Sequence, residues 1–115
     1  MDDKATTVDF GTFEAVDIRA GTVVAAEPFP KARKPSYKLW IDFGDLGQRR
    51  SSAQLTDLYT TDDLIGRQVA AVVNFAPRQI ADFMSEVLVL GMPNVDGAVV
   101  LVAPDRDVRN GARLF

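Results

Sequence analysis

Ser36-Tyr37-Lys38-Leu39-Trp40-Ile41-Asp42-Phe43-Gly44-Asp45-Leu46-Gly47-Gln48-Arg49-Arg50-Ser51-Ser52-Ala53-Gln54 reads as two strands joined by a tight connection. Tyr37, Leu39, Ile41 and Phe43 alternate with Ser36, Lys38, Trp40 and Asp42, so one face is apolar and Trp40 is assigned to the outer face. Residues 44–47 supply the turn, and residues 48–54 return as a more polar third strand. Upstream, alternation begins at Val16: Val16, Ile18, Ala20, Thr22, Val24 and Ala26 share one face of a long first strand, and Gly21 is a natural place for it to bend. Between these strands, Pro28-Phe29-Pro30-Lys31-Ala32-Arg33-Lys34-Pro35 holds three prolines in eight positions, which makes it a loop, and a basic one.

Downstream the punctuation continues. Thr60 or Thr61 caps a helix of one or two turns, Asp63 completes a capping box, and Gly66 stops it. Further strands are expected at residues 68–74, 85–91 and 98–102. Several short strands around one short helix predict a small closed β-barrel. The first seven residues are polar and expected to fray, while Val8, Phe10 and Phe13 fit a short helical turn or an arm; residues 1–12 are assigned to this arm and 13–115 to the domain.

A chain of 115 residues, 47% apolar and 25% charged, has room for one core. No apolar run approaches the roughly 20 residues of a spanning helix, and the start Met1-Asp2-Asp3-Lys4 does not resemble a signal peptide, so the expected location is cytoplasmic, without membrane insertion. With no Cys and no His the chain has no disulfide, thiolate nucleophile, imidazole base or His/Cys metal site. Asp62/Asp63 suit a helix start and Asp105/Asp107 a turn after Pro104. No phosphate-binding glycine loop or nucleophile elbow occurs, so the expectation is a non-enzyme with no metal and no cofactor. The net charge of −3 offers no whole-molecule attraction for a polyanion.

Two surface constellations remain. Lys31, Arg33, Lys34 and Lys38, with Arg49 and Arg50 on the neighbouring strand, form a basic cluster, and Tyr37 and Trp40 add rings that can stack on bases or cover an apolar peptide. The alternative is a solvated loop whose charges serve solubility. In Asn74-Phe75-Ala76-Pro77-Arg78 through Phe83-Met84-Ser85, the chain leaves a strand through a Pro-containing loop and re-enters another, so that Asn74, Arg78 and Ser85 converge and Phe75, Phe83 and Met84 supply apolar wall. The alternative is that the rings cap the barrel and Asn74 satisfies backbone groups. Separately, Val87-Leu88-Val89-Leu90 and Val99-Val100-Leu101-Val102 are apolar on both strand faces, which predicts a homodimer built from Val87, Leu88, Val89, Leu90, Val99 and Leu101 with Leu114-Phe115 and the Phe10/Phe13 arm.

Asp17-Ile18-Arg19-Ala20-Gly21-Thr22-Val23, Pro30-Lys31-Ala32 through Lys38-Leu39, Ile41-Asp42-Phe43-Gly44 and Gly66-Arg67-Gln68-Val69 together resemble the tRNA-binding domain family. Residues 74–91, with Ser51-Ser52-Ala53-Gln54 and Asn110-Gly111-Ala112-Arg113, are similar to its CsaA-type export-related chaperones. That resemblance implies an all-β fold with short helices: a five-stranded OB-fold barrel whose extra terminal strands and helical turns form a dimer interface. It also implies a homodimer of the bacterial cytoplasm that binds unfolded preprotein or peptide segments and interacts with the translocation ATPase. The typical tRNA binders carry Ser-x-Gly-Met where this chain has Ser85-Glu86-Val87-Leu88, and Glu86 disfavours phosphate. The groove expected for a peptide, or for tRNA as the alternative ligand, comprises Lys31, Tyr37, Lys38, Trp40, Arg49, Arg50, Ser52, Asn74, Phe75, Arg78, Phe83, Met84 and Ser85. A third reading is a non-catalytic assembly or scaffolding module.

Overall fold

Eleven consecutive residues, Ile18–Pro28, form the strand (β1) on which the barrel is assembled. The computed structural model describes residues 4–115; the first three residues of the expected arm lie outside the described residues. A five-residue helix, Phe10–Glu14 (α1), precedes β1 and runs across the expected boundary after residue 12. β2 (Tyr37–Asp42) and β3 (Gln48–Ala53) form the expected hairpin. A capped helical turn, Thr61–Leu64 (α2), leads to β4 (Gln68–Val72). Short strands follow: β5 (Arg78–Ile80), β6 (Phe83–Ser85), β7 (Leu88–Val89), β8 (Gly91–Pro93) and β9 (Val99–Leu101).

The main sheet is antiparallel in the order β3-β2-β1-β4-β7. It curls until β3 meets the chain after β6. There the Arg50 carbonyl accepts the Glu86 and Val87 N–H groups at 2.8 and 3.3 Å, and the Ser51 hydroxyl donates to the Val87 carbonyl at 3.0 Å. The result is a nearly closed five-stranded barrel of OB type. Its interior holds Val23, Leu39, Ile41, Phe43, Leu55, Leu64, Val69, Ala71 and Val87.

Two features of β1 set this geometry. Gly21 faces inward, where a Cβ would lie 2.7 Å from Ile41 Cγ2 and from the Phe43 ring; the missing side chain is the space those two occupy. The bend expected at Gly21 lies further on, where the register with β2 shifts between Val23 and Ala25. That bulge changes the alternation, so Val23 is fully buried while Val24 is exposed and Ala26 packs against the core. A single unbroken face from Val16 to Ala26 is therefore not observed.

The capping box of α2 is present, with the Thr60 hydroxyl accepting the Asp63 N–H and the Asp63 carboxylate accepting the Thr60 N–H. These bonds hold the Asp63 carboxyl below its ordinary pKa. Gly66, at φ +89°, follows the helix in the left-handed region. At the C-terminus, residues 111–114 lie along the start of β1: Ala20 N–H donates to the Ala112 carbonyl and Leu114 N–H to the Ile18 carbonyl. Asp17 secures this strap, accepting Arg19 Nε at 2.6 Å with Arg113 Nε at 3.4 Å, and the Arg19 hydrogen bond keeps its carboxyl below the usual carboxylate range.

The expected single strand over 85–91 is divided. Its apolar run is continuous, but its hydrogen-bond partners change: β6 pairs with β5, residues 86 and 87 bond to β3, β7 pairs with β4, and β8 pairs with β9. β5 lies within the segment expected as a Pro-containing loop. Its hairpin turns through Ala81 at φ +51°, where the usual glycine or asparagine signal is missing.

The same strands divide the residues expected at a dimer interface between the barrel and its surface. Val87 is in the core of its own chain, and Val89, Val99 and Leu101 pack against it. The barrel covers Val87 and part of Val89, Val99 and Leu101, while Leu88, Val100, Phe10, Leu114 and Phe115 are exposed. Phe13 is half-buried beside Phe10, their ring centroids 5.9 Å apart.

Gly21→Ala is expected to lower stability by about 2 kcal/mol, because the added methyl overpacks a filled core. A urea melt should show a lower midpoint at unchanged slope.

Candidate ligand groove

On a strand, neighbouring side chains point to opposite faces, so the register decides which candidates can meet. Lys38 pairs with Ser52 and Trp40 with Arg50 across β2 and β3, while Glu27 and Ala25 of β1 pair with Lys38 and Trp40. These six residues share the outer face of the barrel. The inner face of the same strands carries Leu39, Ile41 and Ser51, all fully buried. The outward assignment of Trp40 is observed.

The β5–β6 hairpin lies against this face. Ile80 pairs with Phe83 and Arg78 with Ser85, which places these four on one side of the hairpin, with Gln79 and Met84 on the other. The Phe83 ring, 4% exposed, is inserted between the hairpin and the barrel. It makes edge contacts with Phe29 at 5.5 Å and with Trp40 at 5.9 Å. Lys38 Nζ lies 4.9 Å from the Phe29 centroid and 5.3 Å from that of Phe83, and the Arg50 guanidinium carbon lies 5.3 Å from Phe83. The platform is thus an aromatic cluster bearing two cations whose charge faces ring electrons.

Two ion pairs fasten its borders. Lys31, in the loop after β1, meets Asp82, in the hairpin turn, at 2.8 Å. Each holds the other charged: the hydrogen bond raises the Lys31 pKa and lowers that of Asp82. Glu86, just after β6, accepts the Arg50 N–H at 3.0 Å and Arg50 Nε–H at 3.4 Å through the same Oε1. Among the described residues Arg33, Lys34 and Arg78 have no carboxylate within ion-pair distance.

The structure brings together Lys31, Lys38, Trp40, Arg50, Ser52, Arg78, Phe83 and Ser85 of the expected groove. It separates the others for specific reasons. Tyr37 belongs to the inward face, packs against the core, and donates its hydroxyl to the Tyr59 carbonyl at 2.8 Å. Arg49 pairs across the sheet with the buried Ile41, and its Nε reaches the Leu46 carbonyl instead. Met84 lies on the far face of the hairpin. Asn74 ties the start of β1 to the end of β4: its amide donates to the Ala15 carbonyl at 2.8 Å and its oxygen accepts the Asp17 N–H at 2.9 Å. Phe75 is exposed beyond the end of β4. Ser85 also has a structural duty, its Oγ accepting the Ser52 N–H at 3.0 Å. Glu27, unmentioned in the sequence reading, joins the platform because the β1 bulge restores it to the face of Lys38. Away from this platform, an open apolar hollow of about 300 Å³ lies between β1 and the C-terminal segment, lined by Ile18, Ala20, Ala70, Val102, Val108 and Leu114 among others.

A model of the family described as putative tRNA binding domain matches residues 18–113. The chain belongs to this tRNA-binding domain family, in its CsaA-type branch. It is similar to the solved chaperone CsaA of Bacillus anthracis str. Ames, with 49% identity and a TM-score of 0.89 over 96% of this chain and all of that one. The CsaA chaperone protein of Picrophilus torridus shares 45% identity at the same TM-score, over 95% of this chain and all of the other. Among curated relatives, the methionine–tRNA ligase of Methanocaldococcus jannaschii is 31% identical over 112 residues; that match takes in 97% of this chain and 17% of the ligase.

Phe83→Ala is expected to cost about 3 kcal/mol, since it empties the space between Phe29, Trp40 and two cations. Met84→Ala, one residue along, should cost about 0.5 kcal/mol, within the usual range for an exposed position. Parallel urea melts check the difference.

Proposed function

We propose that the chain is a cytoplasmic, homodimeric chaperone that binds unfolded preprotein segments on the platform formed by β2, β3 and the β5–β6 hairpin. The observation that carries this reading is the chemistry of the platform: an aromatic cluster with Trp40 half-open, polar groups beside it, and two of its cations already matched by Asp82 and Glu86. An extended peptide needs apolar contact and a few polar groups to fix it, which this surface offers. The identity of 45–49% with CsaA chaperones over nearly the whole chain supports the same reading.

A client must also be released, so each groove should bind modestly, with two grooves on a dimer supplying avidity. The dimer would form through outward apolar positions, Leu88, Val100, Leu114 and Phe115, leaving the platforms free. The translocation ATPase is the partner to which such a chaperone would deliver its client. No catalytic step, metal or cofactor belongs to this reading.

A second reading, tRNA binding, is favoured by the family match and by Arg33, Lys34 and Arg78, which among the described residues have no carboxylate within ion-pair distance. The two differ in salt dependence. Phosphate contacts weaken steeply with salt, whereas apolar and amide contacts do not.

A labelled unfolded preprotein segment, titrated by fluorescence anisotropy at two salt concentrations, should bind saturably with weak salt dependence. Trp40→Ala should weaken it about tenfold, equivalent to about 1.4 kcal/mol, and Arg78→Ala by a smaller factor. Absent binding, with labelled tRNA bound steeply salt-dependently instead, decides for the second reading.

A further inference from the structure

Both acids that pair with platform cations are carried by one element. Asp82 is in the turn of the β5–β6 hairpin and Glu86 directly follows its second strand, and they reach opposite walls: Lys31 in the loop before β2, and Arg50 on β3. As stabilising devices these pairs are weak, because both are substantially open to solvent. Their effect on an approaching ligand is larger. Counting Lys31, Lys38, Arg50 and Arg78 against Glu27, Asp82 and Glu86, the platform carries four cations and three carboxylates, a net charge of +1. Without the hairpin's two acids the net charge is +3.

Geometry sharpens the point at Arg50. Its guanidinium has the Phe83 ring 5.3 Å from its central carbon and the Glu86 carboxylate at 3.4 Å from Nε. A phosphate seeking the two-pronged contact that arginine offers finds one edge taken, and meets a like charge there. A polypeptide backbone brings neutral amides and avoids that repulsion.

We propose that Asp82 and Glu86 are selectivity residues of the groove: by occupying Lys31 and Arg50 they exclude polyanions and reserve the platform for polypeptide. The polypeptide half of this inference rests on the chaperone reading above; the exclusion of polyanions rests on the ion pairs themselves. Glu86 is suited to a clean test, because Glu86→Gln keeps the Oε1 acceptor for the Arg50 N–H while removing the charge.

The test compares full-length wild type, Asp82→Asn, Glu86→Gln and the double variant for binding of labelled tRNA and of a labelled unfolded preprotein segment, across about 50 to 200 mM salt. Each uncovered cation should steepen the log–log salt slope for tRNA by about 0.7–0.9, and the double variant should raise tRNA affinity relative to peptide affinity by roughly tenfold or more at the low-salt end. Adding Arg50→Gln to Glu86→Gln should cancel the gain of the latter. Unchanged tRNA affinity and slope in all variants overturns the proposal, and so does a gain that survives Arg50→Gln. Should Glu86→Gln melt well below wild type, Asp82→Asn decides alone: its pair is exposed, and a slope steeper by about 0.7 supports the proposal while no change overturns it. If wild type fails to bind the peptide but the variants still gain tRNA, the chaperone reading falls and the exclusion by Asp82 and Glu86 stands.

Discussion

The hydrogen bonds that carry β3 onto residues 85–87 are the constraint on which both barrel and groove depend. No regular ladder joins these segments. One carbonyl, that of Arg50, takes the Glu86 and Val87 N–H groups, and two serine hydroxyls, of Ser51 and Ser85, bond to Val87 and Ser52. This seam turns a twisted sheet into a nearly closed barrel and puts Val87 into its interior. It also presses the β5–β6 hairpin against the outer face of β2 and β3, which is why Phe83 can sit between Phe29 and Trp40. Fold closure and site construction therefore rest on the same bonds, and substitutions at Ser51 or Ser85 would disturb both.

Alternation explains most of what was legible in the sequence. The inward set Leu39, Ile41 and Phe43 is in the core, and the β2–β3 hairpin and the α2 capping box are where turn and cap residues place them. Alternation applied strictly would also have refined the site. Tyr37 and Lys38, Arg49 and Arg50, Phe83 and Met84 are adjacent pairs on strands, and only one member of each pair can face the groove. Lys38, Arg50 and Phe83 are those members, whereas chemistry alone suits all six.

What alternation does not encode is a change of partner. The apolar run over 87–90 carries no mark of the point where it leaves β3 for β4, and Ala81 gives no composition signal for the turn of the hairpin. Nor is the β1 bulge visible from spacing, although it decides that Val23 is buried, Val24 exposed and Glu27 part of the platform. Asn74 illustrates a different limit. An asparagine at a strand end suits ligand contact and backbone repair equally, and the bonds to Ala15 and Asp17 show that it performs the second here.

The single tryptophan of the chain lies on the platform, half-buried against Phe83, so its emission reports on its surroundings there. Titrating the protein with a tryptophan-free unfolded preprotein segment, while following binding independently by calorimetry, tests the central claim directly. A saturable change in Trp40 emission is expected, with a midpoint that coincides with the calorimetric one. Saturation by calorimetry with Trp40 emission unchanged would place the ligand elsewhere and contradict it.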